Sequence, residues 1–362
     1  MSVCRWAVLG TGQVARKFTL GLRASPNSRV SAVGSRSHES ARVFVDELGL
    51  ACPTFDYQGA VGADVDAVYV ATPPATHLRL ALLSVSAGRA TLVEKPFTVT
   101  GAEARELAEA AHRQGVFCME AMWTRFLPLP RAVDGLLREG VIGELHTVVG
   151  GFGTADAMSA PHLLDPTLGG GALLDRAVYP LSFVIRALGL PSGVAGDLTE
   201  GRTGVDEEAA AVLRYDNGAL AVVHASLRSH LANDLRYVGT EGSIVVQSPA
   251  YRPVSALIAR AEPRGRPAGT GQPLLERSLA HGVRQAVSAL TPRSLSNGNR
   301  PLWRPYRGNG YQYQAEEVAA CVAAGRTEST IMPLADSIAV LDVVDQIRSA
   351  AHVEMPHPPE AP

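Results

Sequence analysis

The sequence predicts an α/β protein whose N-terminal part is a doubly wound parallel sheet and whose C-terminal part is an α+β domain on a largely antiparallel open sheet. Three observations carry this. Short apolar runs alternate with longer amphipathic segments over the first third, strand-like runs follow one another without helices after about residue 205, and 362 residues leave room for two cores at about 150 residues per domain.

In the first third, the strand candidates are Trp6 to Leu9, Val30 to Val33, Ala67 to Ala71, Thr91 to Val93 and Val116 to Met119. Between them Gln13 to Arg23, His38 to Leu48, Thr76 to Ala87 and Gly101 to Gln114 have helical spacing, the last opened by Thr100 with Glu103 three residues on, a capping-box pattern. Strands joined through helices make right-handed crossovers and a parallel sheet. The expected first domain is 1–121.

After residue 121 one more helix runs to about Arg138, a strand covers Leu145 to Phe152, and a helix covers about Ala172 to Leu188. Then come Ala209 to Tyr215, Leu220 to Ser226, Asp234 to Val238, Ser243 to Val246 and Val254 to Arg260, consecutive strands that imply antiparallel pairing. From Glu262 to Gly310 the chain is rich in Gly, Pro, Arg and Ser, with one short helix expected around Leu275 to Leu290, before helices resume at Gln312 to Ala324 and Leu334 to Ala351. The second domain is expected over 122–354, and 355–362 reads as a flexible tail.

Composition removes several classes of function. Hydrophobic residues are 46% and charged ones 19%, against about 25% charged in an average globular chain, so this is a folded chain and not a disordered one. Lys plus Arg is 33 and Asp plus Glu is 35, a net charge of −2 with no long run of either sign, which offers no basic face for nucleic acid or a membrane surface. No run of 18 apolar residues and no secretory signal is read, and the four scattered cysteines read as reduced, mostly buried thiols, so a cytoplasmic protein is expected. The ten histidines show no metal-ligand spacing, and no metal is expected.

Gly10-Thr11-Gly12-Gln13-Val14-Ala15 is G-x-G-x-x-A, directly after the first strand and at the start of a helix, the context that gives this motif its value. The first glycine permits the tight turn, the second lets backbone approach a pyrophosphate, and Ala15 is small enough for close helix packing, the mark of a Rossmann dinucleotide site. At the end of the second strand, where an acid normally binds the ribose hydroxyls of NAD, stand Ser35 and Arg36. A guanidinium and a hydroxyl suit a 2′-phosphate, so NADP is expected over NAD, the alternative being that Arg36 is a solvated loop residue. Leu92-Val93-Glu94-Lys95-Pro96-Phe97 then sets a lysine just past the carboxyl end of a parallel strand, where open α/β sheets bind ligands.

With the cofactor turn, this Glu-Lys-Pro segment resembles the glucose-fructose oxidoreductase, inositol dehydrogenase and rhizopine-catabolism (Gfo/Idh/MocA) family of NAD(P)-dependent oxidoreductases. Ala71-Thr72-Pro73-Pro74-Ala75-Thr76-His77 looks like the family's fourth-strand motif, and Gly169 to Asp175 with Tyr179-Pro180 looks like its catalytic helix. Met119 to Phe126, Gly308-Asn309-Gly310-Tyr311 and Glu328-Ser329 are most similar to the branch of trans-1,2-dihydrobenzene-1,2-diol and NADP-dependent D-xylose dehydrogenases. The poorest match is Glu262 to Arg304.

The resemblance implies a Tyr179 and Lys95 pair as acid-base machinery, with Asp175 one helical turn earlier binding substrate hydroxyl or Lys95. A lysine ammonium close by is expected to lower the tyrosine pKa from near 10 toward neutrality. Cofactor contacts are expected from Gly10, Thr11, Gly12, Gln13, Val14, Ser35, Arg36, Thr72, Pro73, His77, Glu94 and Lys95, with a packing histidine the alternative at His77. Substrate contacts are expected from Trp123, Asp175 and Arg202, although Trp123 also reads as an interdomain core aromatic and Arg202 as a solvated loop residue. One departure stands out: Arg176 and Ala177 follow Asp175 where the family usually has an apolar residue and then Gly.

The expected activity is an NADP-dependent oxidoreductase acting on a secondary alcohol, or its carbonyl, in a sugar, polyol or cyclic diol. A non-catalytic NADP(H) sensor of the same fold and a redox-assisted epimerase or glycosidase are the alternatives. A small-molecule substrate and a homodimer are expected as partners.

Overall fold

The computed structural model describes residues 3–155, 160–260 and 299–351. Its first sheet contains β1 (Cys4–Leu9), β2 (Ser28–Gly34), β3 (Thr54–Phe55), β4 (Ala67–Val70), β5 (Ala90–Glu94) and β6 (Cys118–Ala121), all parallel in the order β3-β2-β1-β4-β5-β6. The helices between them are α1 (Gln13–Leu22), α2 (His38–Glu47), α3 (Tyr57–Gly62), α4 (His77–Ser86) and α5 (Gly101–Gln114). Strand order reverses between β1 and β4, and a crevice opens there at the carboxyl ends of the strands.

Burial on both faces explains why β4 and β5 read as continuous apolar runs. Ala15, Phe18 and Leu22 form the buried stripe of α1, with Phe18 wedged between Trp6 and stacked on Tyr69 at 3.9 Å. The box at α5 forms with one variation: Thr100 Oγ accepts from Glu103 N, while Glu103 Oε2 accepts from Val99 N rather than from the cap residue itself. The short β3 and α3 were not expected, and β6 starts two residues later than the apolar run at Val116 suggested.

The second sheet has eight strands. They are β7 (Leu145–Gly153), β8 (Gly193–Glu200), β9 (Asp206–Arg214), β10 (Leu220–Ser226), β11 (Leu235–Gly239), β12 (Gly242–Val246), β13 (Ser255–Arg260) and β14 (Arg300–Trp303), in the order β14-β13-β12-β11-β7-β10-β9-β8. Every pair is antiparallel except β7 with β10. Two edge strands escaped the sequence reading for a physical reason. Gly193–Glu200 contains two glycines and an aspartate, and it is held as a strand by pairing with β9 rather than by propensity; Arg300–Trp303 lies inside the Gly/Pro/Arg-rich stretch.

Helices α6 (Pro128–Arg138), α7 (Val178–Leu188), α8 (Gln312–Ala323) and α9 (Leu334–Ala351) complete the α-helices among the described residues. Helix α7 packs on β7 and β10, and α9 packs on β8, α7 and α5, so α9 joins the two sheets. Pro166–Leu188 is apolar enough, at a mean hydropathy of 1.2, to cross a bilayer by length and composition. Its most apolar window is 72% buried inside the protein, as in a core helix. The helix expected around Leu275 to Leu290 and the tail at 355–362 lie outside the described residues.

Candidate active site

The dinucleotide turn follows from backbone geometry. Gly10 has φ +108°, and a Cβ there would stand 2.4 Å from the Ala71 carbonyl oxygen, so a side chain is excluded twice over. A Cβ on Gly12 would meet nothing within 4 Å. Gly12 is also the N-cap of α1, no side chain caps the helix, and its first turn carries no acid. Open space against uncapped N–H groups at a helix N-terminus is the cradle a pyrophosphate needs, so these residues fit a dinucleotide.

Around this turn lies a cleft of about 970 Å³. Gly10, Thr11, Gly12, Gln13 and Val14 line one side, Thr72, Pro73, Glu94 and Lys95 the floor, and Ser35 and Arg36 the far end. Asp175 closes it from the second sheet's side, with His162, which was not foreseen, and the Leu168–Gly170 loop, which runs into the Gly169 to Asp175 motif, beside it.

His77 is a correction. It is fully buried and absent from the cleft wall, with Nδ1 2.8 Å from the Pro96 carbonyl oxygen and Nε2 2.8 Å from that of Thr72. Burial lowers its pKa against the pull of those carbonyls, so the neutral ring donates to one of them and clamps the turn after β4 to the turn after β5. Arg202 is a second correction. It is exposed in the tight turn that joins β8 to β9, closed by Gly201 and Val205, and it lies outside the cleft.

At the inner end Lys95 and Asp175 line the cleft, and the structure brings them against Tyr179, which is buried behind them and lines a separate small pocket with Phe152 and Tyr251. Lys95 Nζ donates to Asp175 Oδ1 at 2.6 Å and to the Asp175 carbonyl at 3.0 Å, and it sits 5.0 Å from the centre of the Tyr179 ring. Residues Leu173–Ala177 form a π-helical turn ahead of α7 rather than the plain helix expected. Pro180, five residues beyond Asp175, has no N–H to close a π-type bond to the carbonyl that Lys95 takes. The turn is held by Asp206, whose Oδ2 accepts from Leu173 N at 2.6 Å; a Cβ on Gly171, at φ +119°, would lie 2.4 Å from Asp206 Oδ1. No motif in the sequence pointed to Asp206.

An aromatic wall surrounds the Tyr179 phenol. Trp123 Nε1 donates to the Tyr179 hydroxyl at 3.4 Å, and the indole stacks on Tyr311 at 4.7 Å. Phe152 meets the Tyr179 ring edge-on at 5.3 Å and stacks on Tyr251. Phe152 and Tyr251 come from strand and loop positions that carry no local signature. Arg176 lies over the Phe152 ring with its Nε 3.2 Å from Asp175 Oδ2, so the unusual charge faces the carboxylate that also holds Lys95.

Burial is the largest influence on all three central groups, and it opposes charge on each. For Lys95 the proximity of Asp175, Tyr179 and Glu94 outweighs it, and the ammonium is held above its usual range. For Asp175, Lys95 and Arg176 outweigh it and the carboxyl sits below the usual range. For Tyr179 burial wins and the phenol is pushed up despite Lys95, which overturns the expectation of a lowered value. Lys95 is already committed to Asp175 and lies over the ring face. Glu94, which accepts from the Tyr69 hydroxyl, is pushed up to about 7 by burial, although Lys95 and Tyr69 pull it down.

Residues 4–122 match an oxidoreductase family model described as an NAD-binding Rossmann fold, and residues 131–245 match the GFO/IDH/MocA C-terminal domain. Over 354 residues, 95% of this chain and 96% of the relative, the sequence is 32% identical to trans-1,2-dihydrobenzene-1,2-diol dehydrogenase of Danio rerio. The chain belongs to the Gfo/Idh/MocA oxidoreductase family.

Solved structures share this fold over nearly the whole chain. The 3-ketoreductase KijD10 from Actinomadura kijaniata, in complex with NADP and TDP-benzene, superposes with a TM-score of 0.78 at 23% identity, covering 96% of this chain and 98% of that one. Levoglucosan dehydrogenase, in complex with NADH and levoglucosan, gives 0.79 at 20% identity, covering 97% of each chain. The protein is therefore an oxidoreductase with an NAD(P)-binding Rossmann domain. Among the described residues no group of three His, Cys, Asp or Glu is placed to hold a metal ion.

Proposed function

We propose that this chain is an NADP-dependent dehydrogenase or reductase that moves hydride between the nicotinamide and a secondary alcohol, or its carbonyl, in a sugar, polyol or cyclic diol. The observation that carries the reading is the Lys95–Asp175 ion pair at the inner end of the cleft that begins at Gly10, with the Tyr179 ring packed against Lys95 behind it. The dihydrodiol and levoglucosan dehydrogenases named above support a polyhydroxylated or cyclic substrate.

When bound, the cofactor supplies or takes the hydride. The chain's own residues handle the proton. With its pKa pushed up, Tyr179 carries a proton at neutral pH and donates it to the substrate oxygen as a carbonyl is reduced. The Lys95 ammonium, pinned by Asp175, stabilises the negative charge that develops on that oxygen. Oxidation runs the same transfer backward and needs the phenolate, so it is favoured at alkaline pH. Trp123 and Phe152 pack against Tyr179 and shield the phenol from water.

Ser35 and Arg36 at the far end of the cleft, with no acid at the end of β2, support NADP over NAD. The outer face of the second sheet exposes Val149, Val212, Leu220 and Val222, each more than a third accessible, which supports a homodimer formed through that face. The absence of disulfides among the cysteines, three of them buried, supports a cytoplasmic location.

The test is reduction of NADP+ and oxidation of NADPH across aldoses, inositols and trans-dihydrodiols and the corresponding ketones. Turnover abolished by both Tyr179→Phe and Lys95→Met is expected. Tight NADPH binding with no turnover on the whole panel would instead indicate a sensor.

A further inference from the structure

The cleft does not end at Arg36. Beyond it opens a recess of about 660 Å³ that shares Ser35, Arg36 and Tyr57 with the cleft. The recess is walled on the opposite side by α4, which contributes Arg79, Leu82 and Leu83. Its lining therefore combines two guanidinium groups from different elements with an apolar floor.

Two charges matter here. A phosphate monoester carries about −1.5 to −2 at neutral pH, so a single arginine leaves much of that charge uncompensated, whereas two offset it. The acid in this lining, Asp56, is already used: its Oδ1 accepts from Gly59 N at 2.7 Å and caps α3. Nearby, α2 presents its N-terminus, where Ser37 Oγ accepts from Ser40 N, and both serines line the adjoining cleft. The apolar floor of Leu82 and Leu83 suits the face of a purine ring.

We propose that Arg79 is a second arm of the cofactor-selecting site, gripping the 2′-phosphate of the adenosine together with Arg36 across this recess. The proposal rests on the NADP reading above and adds to it a residue from α4. Nothing in the first-strand or second-strand motifs identifies Arg79, since it sits three residues into a helix that the dinucleotide fingerprint does not include.

The test needs no substrate. NADPH and NADH binding are titrated by nicotinamide fluorescence, and 2′,5′-ADP and 5′-AMP, which differ only in the 2′-phosphate, are used as competitors. For Arg79→Gln, NADPH and 2′,5′-ADP are expected to weaken about tenfold or more while NADH and 5′-AMP stay within about twofold, and Arg79→Lys retains most of the preference. Equal weakening of 2′,5′-ADP and 5′-AMP would make Arg79 an adenine contact and overturn the proposal, as would no weakening at all. If the wild-type protein itself does not prefer 2′,5′-ADP to 5′-AMP, the NADP reading fails first. If the preference is present and only Arg36→Gln removes it, the NADP reading stands and the role given to Arg79 falls.

Discussion

The two ends of the cleft are built on different physics. At the dinucleotide end the geometry is local and made of backbone: a turn of six consecutive residues, a positive φ at Gly10 and an open helix N-terminus at Gly12. At the catalytic end the geometry is assembled from distant segments, since Lys95 and Asp175 are 80 residues apart, Trp123 reaches the Tyr179 phenol from another element, and Tyr311 stacks on that indole from a further one. The first end is decided by whether atoms fit. The second is decided by which of two large opposing influences, burial or charge, wins at each group.

Removing the proton donor is expected to have the largest effect. Tyr179→Phe should lower kcat by about 10² to 10⁴ while leaving NADPH binding within about twofold, because the ring and its aromatic contacts remain; steady-state kinetics beside fluorescence titration checks both. A loss of binding equal to the loss of rate would mean that the catalytic end shapes the cofactor site as well.

Glu94 gives the next effect and tests the burial argument by itself. Its folded pKa, about 7, is raised above the ordinary carboxyl value of 4.5, so the folded state binds a proton that the unfolded state releases earlier. The contribution is fully present below pH 4.5 and is lost as pH rises through about 7, a fall in stability of about 3 kcal/mol. Urea denaturation of the cofactor-free protein should show that fall, and Glu94→Gln should flatten it. An unchanged pH slope in the variant would place the fall elsewhere.

Two glycine substitutions separate fit from function at the other end. Gly10→Ala should destabilise the fold by about 1–3 kcal/mol, since it forces an L side chain to positive φ against the Ala71 carbonyl. Gly12→Ala should leave the melting temperature nearly unchanged and weaken NADPH binding instead, because its added methyl points into open space that only a ligand would fill. The smallest effect belongs to Arg202→Ala, expected to change kcat/KM by less than about twofold, as this arginine is exposed and outside the cleft.

The same contrast explains what could be read from the sequence. The parallel sheet, the glycine turn and the placement of Ser35, Arg36 and Lys95 at strand ends were legible because each follows from a short pattern with a local cause. Lys95 and Asp175 were legible as partners only through family resemblance, and the i to i+4 spacing of Asp175 and Tyr179 did not reveal the π turn between them. Asp206 as the anchor of that turn, and Phe152 and Tyr251 as the aromatic wall, depend on the second sheet's pairing and left no local trace. His77 and Arg202 show the opposite failure, since a chemically suggestive residue at a suggestive position proved to be a buried clamp in one case and a surface turn in the other.

The protonation state of Tyr179 decides whether the site is poised at neutral pH to donate a proton or to take one. It can be measured directly as the difference in phenolate absorbance between the wild-type protein and Tyr179→Phe during an alkaline titration, with the other tyrosines cancelling. With burial outweighing Lys95, no difference signal should develop until the pH exceeds the ordinary phenol value of 10.0. A difference signal emerging near neutral pH would contradict this, and would make Lys95, not burial, the dominant influence on the catalytic phenol.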